Sequence, residues 1–464
     1  MELEKRFLDS IMDGRFEDIP AESVDTIKKV ILNNLGATIG GATSEGCETV
    51  LNMVREWGGK GEATVLIYGD TLPAYNAALV NATMARALDI DDHMPPGMHV
   101  GASALASALA AAELAGGCSG KEFLTALVLG FDMAIRINLA SAYNGFDPSG
   151  VCGIFAAIVA AGRILGLNAS QMWNALALGF NRPIQTFQSI VDGATAVRVG
   201  QGLISQGAIM CIQMAQHGIT GPKNFLDGVY GYFHLYAGDT CDIPAITAGL
   251  GKEFQLDNVS FKTYPSCGNT IASTDAILAL MSEYRLTPEN VAEINVRVTP
   301  YAYRMVGAQF KIGSNPRVDA QFSVQYCVAN ALLRKGSLIK HFDESYVREP
   351  RIMELIKKIH VSADPALEGE KQGLSLRADM DVTTAAGDTY HISIPIPSGF
   401  PGNPLSNERI AERFEEAADY GDKPIPENNV QKIISMVNQL EKAINVCDII
   451  PLMLSESNGG HILK

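Results

Sequence analysis

Seven stretches in the first half of the chain, at 21–35, 74–88, 102–114, 121–140, 153–167, 169–178 and 202–216, carry apolar side chains three and four residues apart. That spacing puts them on one face of a helix. Ala and Leu dominate, and glycines at Gly116-Gly117, Gly166 and Gly218 punctuate the runs. Small side chains let helix axes approach closely, so the pattern predicts an all-helical domain up to about residue 250. After residue 290 the period changes. Glu293-Ile294-Asn295-Val296-Arg297-Val298 alternates as a half-buried strand does, and Leu374, Leu376, Ala378, Met380 and Val382 share one face of a second. Ala386-Gly387-Asp388 then turns the chain, so that His391-Ile392-Ser393-Ile394 returns as the hairpin partner. A helix is expected over 320–333. The Pro/Gly-rich link 395–404 leads to amphipathic helices at 406–418 and 427–445, whose apolar stripes need a surface to cover. The expected architecture is mainly α: a large all-helical domain from residues 1–264 closed by 396–464, plus a smaller α+β lid domain over 265–395.

Composition narrows the class. Of 464 residues, 47% are hydrophobic and 19% charged, far from the disordered range. The balance of 36 Lys+Arg against 51 Asp+Glu gives −15, which argues against a polybasic nucleic-acid binder. The eight cysteines are scattered singly with no C-x-x-C pair, so neither a zinc ribbon nor a disulfide scaffold is indicated. The opening Met-Glu-Leu-Glu-Lys-Arg-Phe lacks a signal-peptide core, and the longest apolar runs are interrupted by Glu113 and Arg163. A cytoplasmic protein without membrane spans is expected.

No Walker loop, G-x-S-x-G or H-E-x-x-H is present, and Gly200-Gln201-Gly202 follows no strand, which makes a dinucleotide site a weak reading. The segment that stands out is Asp89-Ile90-Asp91-Asp92-His93-Met94-Pro95-Pro96-Gly97-Met98-His99, between two apolar helices. Its carboxylates and imidazoles offer acid and base groups near neutrality. Gly101-Ala102-Ser103 then starts a helix whose N–H groups favour an anion. The competing reading is a solvated loop in which Asp91 or Asp92 caps the helix. Chelation of a metal by Asp91, Asp92 and His93 is disfavoured, because adjacent residues rarely hold one ion unaided. A second group, Lys262-Thr263-Tyr264-Pro265-Ser266-Cys267-Gly268-Asn269, falls at the expected domain join, where clefts favour ligands. Lys262 can pair with a carboxylate, and Ser266, Cys267 and Asn269 can donate hydrogen bonds; a polar linker capping a helix from Ile271 is the alternative. His217, His234, His360 and His391 have no polar cluster nearby in sequence and are taken as structural.

Taken in order, Ala87-Leu88-Asp89-Ile90-Asp91-Asp92, His99-Val100-Gly101-Ala102, Phe146-Asp147-Pro148-Ser149-Gly150-Val151-Cys152-Gly153, Gly218-Ile219-Thr220-Gly221-Pro222, Lys262 to Cys267, Asp319-Ala320-Gln321-Phe322-Ser323-Val324 and Pro401-Gly402-Asn403-Pro404-Leu405-Ser406 resemble the MmgE/PrpD family. That family contains 2-methylcitrate dehydratase, cis-aconitate decarboxylase and iminodisuccinate epimerase. The resemblance implies a helical domain completed by C-terminal helices, an α+β lid, a homodimer, and no metal or organic cofactor. It also implies a site between the domains, with functional positions at Asp89, His93, His99, Gln206, Lys262 and Cys267. Asp89, His99 and Lys262 keep the residue types of the decarboxylase branch; His93, Gln206 and Cys267 stand where that branch has threonine, lysine and histidine.

The expected chemistry is proton abstraction at a carbon beside a carboxylate, which needs a base and nearby positive charge. His93 or His99 is the candidate base, with Asp89 orienting an imidazole. Lys262 and the helix start after His99 are the candidate carboxylate contacts, and Gln206, Ser266 and Cys267 are candidate substrate-binding residues. The leading reading is a cofactor-independent, dehydratase-like lyase on a small di- or tricarboxylate. An isomerase or epimerase using the same abstraction is the second, and a non-catalytic carboxylate-binding protein the third.

Overall fold

The computed structural model describes residues 2–95, 97–143, 145–182, 185–239, 241–369 and 375–456, with backbone only at 190 and 191. Pro96 of the polar loop and Leu374 of the expected strand face lie outside them. The chain divides into two compact units, 1–259 with 407–464, and 260–406.

In the first unit the long helices are α1 (Glu2–Asp13), α2 (Ala21–Gly41), α3 (Cys47–Trp57), α4 (Ala74–Arg86), α5 (Gly101–Leu114), α6 (Gly120–Leu139), α7 (Pro148–Ile164) and α8 (Ala169–Phe180). A short α9 (Gln188–Val191) precedes α10 (Ala196–Gln216), and α11 (Tyr232–Ala237) and α12 (Ile243–Thr247) end the run. Helices α5 and α7 are buried nearly all round, in keeping with small and apolar residues on every face, Ala and Leu in α5 and Ala, Val and Ile in α7. Helix α7 begins five residues earlier than the apolar spacing suggests. Asp147 is its cap, accepting from Ser149 N at 2.8 Å, and Pro148 occupies the first turn, where a missing N–H costs nothing.

The second unit carries a four-stranded sheet in the order β2-β1-β3-β4, from β1 (Val291–Val298), β2 (Ile359–Ala363), β3 (Ala378–Thr384) and β4 (Thr389–Ile394). Strands β1 and β2 are parallel and the other pairs antiparallel. Ile294, Val296 and Val298 of β1 and Ala378, Met380 and Val382 of β3 are buried together with apolar residues of α13 (Gly268–Tyr284). Gly387, at φ 92, makes the hairpin turn with Thr384. The single helix expected over 320–333 is two. After the short α14 (Pro300–Val306), α15 (Pro316–Gln321) stops and α16 (Val324–Arg334) restarts, because Ser323 takes up extended dihedrals and its hydroxyl caps Tyr326 N at 3.2 Å. Short helices α17 (Glu344–Val347) and α18 (Pro350–Ile356) complete the unit.

The chain then returns to the first unit. Helix α19 (Asn407–Tyr420) lays Ile410, Phe414 and Ala417 inward, and Gly36 of α2 lets it approach closely, since a Cβ there would come within 3.1 Å of Phe414. Helix α20 (Glu427–Asn438) is shorter than the expected 427–445. Its last carbonyl accepts from Lys28 Nζ at 2.9 Å, and the chain turns so that Ala443 O can accept from Gly120 N, also at 2.9 Å. Among the described residues, no helix is long and apolar enough to cross a membrane. All eight cysteines are free thiols.

Candidate active site

The polar loop after α4 is buried rather than solvated. Asp91 and Asp92 have no exposure, and Asp89, His93 and His99 have less than a tenth. Carboxylates taken out of water need compensation, and Arg86, in the last turn of α4, supplies it. Its guanidinium pairs with Asp89 and reaches Asp91 at 3.2 Å. Burial works against that charge, but the two carboxylates outweigh it and raise the arginine above its ordinary value. Asp89 sits at φ 58, a left-handed conformation that a non-glycine residue adopts at a cost of about 1–3 kcal/mol. The Arg86 pair and the bond from Asp89 N to Arg86 O, 3.3 Å, hold it there.

Asp91 faces Arg86 on one side and His99 on the other, with Oδ2 at 3.2 Å from Nδ1 of the ring. The carboxylate beside the His99 imidazole is thus Asp91, while Asp89, expected to orient an imidazole, pairs with Arg86. His99 is fixed through its backbone as well: its N–H donates to Ser149 Oγ at 3.0 Å, and its carbonyl accepts from Gln201 Nε2 at 3.1 Å. Helices α7 and α10 thus set the position of the ring. His93 lies edge-on to His99, with centroids 5.3 Å apart and planes at 69°.

The start of α5 is not open to a substrate anion, contrary to the reading of its N–H groups. Asp92 already occupies it: Oδ2 accepts from Gly101 N at 3.1 Å and Oδ1 from Asn34 Nδ2 at 2.8 Å. Burial and the neighbouring Asp91 push its carboxyl above the usual carboxylate range, against the lowering effect of Asn34, His99 and Gly101. A Cβ at residue 101 would overlap Asp92 Oδ1 and Asn34 Nδ2, so this contact needs glycine. Asp92 is the capping carboxylate of the alternative reading, inside a buried network.

Gly200-Gln201-Gly202 lies within the first turns of α10. Its role is close packing: a Cβ at Gly202 would overlap Thr83 Oγ1 of α4. Gln206 Nε2 donates to Asn76 Oδ1 at 3.1 Å, so the residue of α10 that reaches the His99 backbone is Gln201, on a different face from Gln206.

In the second unit Lys262 is buried. Ser266 and Cys267 belong to the entry of α13, which begins at Gly268 rather than at Ile271. Cys267 is its N-cap residue and donates its N–H to Gln321 O at 3.0 Å, while the Ser266 hydroxyl bonds that of Thr270 at 2.8 Å. Nearby, the half-buried Asp275 collects Tyr264 OH and both the N–H and hydroxyl of Ser398 at 2.7–2.8 Å. Of the histidines set aside, His234, His360 and His391 lie at the surface with a ring nitrogen 2.8–3.5 Å from Asp239, Glu293 and Asp381, exposed contacts that contribute little.

Arg86, Gln201, Ser149 and Asn34 are the site residues that periodicity did not single out. Among the described residues no three His, Cys, Asp or Glu side chains gather as a metal site. In the first unit an imidazole, His99, faces a carboxyl group, Asp91, that in turn faces the Arg86 guanidinium. Such an arrangement can take up a proton and stabilise the imidazolium that results.

Residues 5–242 match the MmgE/PrpD N-terminal domain and residues 264–442 the MmgE/PrpD C-terminal domain, and the chain belongs to the MmgE/PrpD family. It is similar to the cis-aconitate decarboxylase of Aspergillus terreus, 24% identical over 461 residues that cover 94% of this chain and 93% of that protein. The human cis-aconitate decarboxylase is 25% identical over 441 residues, 92% of this chain and 89% of that one. The cis-aconitate decarboxylase-like protein oryM of Aspergillus oryzae is 23% identical over 465 residues, covering 95% and 94%.

Proposed function

We propose that the protein is a cofactor-independent lyase acting on a small di- or tricarboxylate, by moving a proton at a carbon beside a carboxylate. The observation that carries the reading is the buried relay Arg86–Asp91–His99, in a family whose similar members include cis-aconitate decarboxylases. His99 takes the proton at Nε2, because Nδ1 is turned to Asp91. Asp91 stabilises the imidazolium, and Arg86 holds Asp91 in place from its other side at 3.2 Å. Lys262 supplies positive charge for a substrate carboxylate. The β-hydroxyl then leaves as the C–O bond breaks, taking the proton held on His99 to depart as water; the alkene forms and the neutral imidazole is restored, which completes a dehydratase cycle.

Decarboxylation of cis-aconitate is the second reading, favoured by the names of the relatives. It uses the same site in the opposite sense, with a protonated imidazole delivering the proton to carbon. The family resemblance, which puts threonine, lysine and histidine in the decarboxylase branch where this chain has His93, Gln206 and Cys267, weighs against cis-aconitate decarboxylation. Incubation with citrate, 2-methylcitrate, cis-aconitate and substituted succinates, followed by proton NMR and mass spectrometry, separates the two: water loss gives an alkene of unchanged carbon count, decarboxylation a product one carbon shorter. Full turnover after dialysis against EDTA is expected; loss restored by a divalent ion would overturn cofactor independence.

A homodimer through the helical unit is also proposed. The support is a run of exposed apolar side chains there, Ile219, Val229, Tyr230 and Leu235, of which Val229 and Tyr230 are about four-fifths exposed. Light scattering that gives a monomer mass at micromolar concentration would refute it.

A further inference from the structure

The peptide between Asp89 and Asp91 is held from behind by two donors that reach one oxygen. Ile90 O accepts from Asn33 Nδ2 of α2 at 3.0 Å and from Arg413 Nη2 of α19 at 3.3 Å. Arg413 is more than 320 residues away in sequence, yet it is buried on the inner face of α19 beside Ile410 and Phe414. Among the described residues, Ile90 O is the hydrogen-bond acceptor of its guanidinium, and Nε has none. Such a side chain is costly to bury without a carboxylate partner. Burial duly lowers its affinity for the proton to about 10, partly offset by Glu416. A leucine at this position would dock α19 onto α2 as well, so docking alone does not account for an arginine.

We infer that Arg413 is a positioning residue for the catalytic loop, fixing with Asn33 the Ile90 carbonyl and thereby the left-handed turn that aims Asp89 and Asp91 at Arg86. The carbonyl of Ile90 belongs to the peptide unit that joins Ile90 to Asp91, so its orientation sets the backbone on which the Asp91 side chain is presented to His99. Two donors on one acceptor resist rotation of that peptide unit where a single one would act as a hinge. The C-terminal helix is on this account part of the catalytic apparatus, through a hydrogen bond rather than through substrate contact.

Only the kinetic arm of the test rests on the lyase reading. The first arm is amide hydrogen exchange by mass spectrometry on the full chain without substrate. In Arg413→Met, peptides covering 86–95 should exchange about 10-fold faster or more, while those from 21–41 and 407–420 stay within about twofold of the parent. Arg413→Lys, which keeps one donor, should fall between. Unchanged exchange at 86–95 with faster exchange at 407–420 would overturn the inference and leave Arg413 a docking residue. Should Arg413→Met not fold, Asn33→Ala and Arg413→Lys carry the same test, and 86–95 at the parent rate in both would overturn it. In the kinetic arm, with whichever polycarboxylate the parent turns over, kcat falls about 10-fold or more at a KM within about threefold, since a displaced base costs rate before binding. A parent that turns over none of them counts against the lyase reading and leaves the exchange result standing.

Discussion

Asp91→Asn removes one charge from the middle of the proposed relay while keeping its size. In the parent, the carboxylate lies 3.2 Å from both Arg86 and the His99 ring, with no solvent exposure. Two unit charges at that separation interact by about 5 kcal/mol at an effective dielectric constant near 20. On the proposed path the imidazolium forms during the reaction, so only part of this appears in the barrier, about 2.7–4 kcal/mol, a fall in kcat of about 10²–10³-fold. Substrate binding does not need the imidazolium, so KM should move far less. Folding should survive, because Asp89 still pairs with Arg86; the cost is about 1–3 kcal/mol for the weakened buried contact. Steady-state kinetics beside a thermal melt separates the two effects. A folded Asp91→Asn protein with kcat within threefold of the parent would refute the relay. A larger loss in Asp89→Asn than in Asp91→Asn would return the orienting role to Asp89.

Three further outcomes follow from particular contacts. Gly101→Ala should destabilise the helical unit by about 1–3 kcal/mol and lower activity with it, because the added methyl meets Asp92 and Asn34 where neither can withdraw; a melting temperature equal to the parent's would contradict this. His341 in the second unit accepts from Leu338 N at 3.2 Å, and burial together with the charges of Arg334 and Lys340 lowers its pKa to about 4, from 6.5. A base depressed in the fold contributes stability above pH 6.5 that is lost as pH falls toward 4, no more than about 2 kcal/mol once screening is allowed for, so melting curves at pH 7 and 4.5 should differ less in His341→Gln than in the parent. Lys262→Ala should lower kcat/KM by about 10²-fold or more, as removal of one electrostatic donor does, and Cys267→Ser should be mild, since Cys267 contributes an N-cap position and not a nucleophile; a steep loss in Cys267→Ser alone would reverse that assignment.

Much of this architecture is written in local pattern. The Ala-rich and Leu-rich period of α4, α5, α6 and α7 can only be a helix buried on most sides, and the alternation in β1 and β3 can only be a half-buried strand. Helix breaks are harder to read, because Ser323 interrupts a run whose apolar spacing continues on both sides; the hydroxyl that caps Tyr326 is available in any serine, and tertiary fit decides whether it is used. The loop from Asp89 to His99 was legible because its polar density contrasts with its flanks. Its internal wiring was not. Arg86 reads as an ordinary basic residue in the last turn of a helix, although aspartates three and five residues on are a signal in retrospect. Asn33 and Asn34, an amide pair inside the apolar run of α2, are a second such signal. Nothing local tells that Gln201 rather than Gln206 turns to His99, or that Asp92 rather than a substrate fills the start of α5, since those choices depend on how α10 and α5 pack on their neighbours.

The central claim, proton transfer by His99 at a carbon beside a carboxylate, is tested most directly by a time course of proton NMR in heavy water with the polycarboxylate panel, run on the parent and on His99→Gln. The account predicts that the parent converts or deuterates one substrate at a carbon next to a carboxylate, and that His99→Gln, folded to the same melting temperature within a few degrees, does so about 10²–10⁴-fold more slowly. Undiminished conversion by His99→Gln, or a parent that neither converts nor deuterates any of the panel, would contradict it.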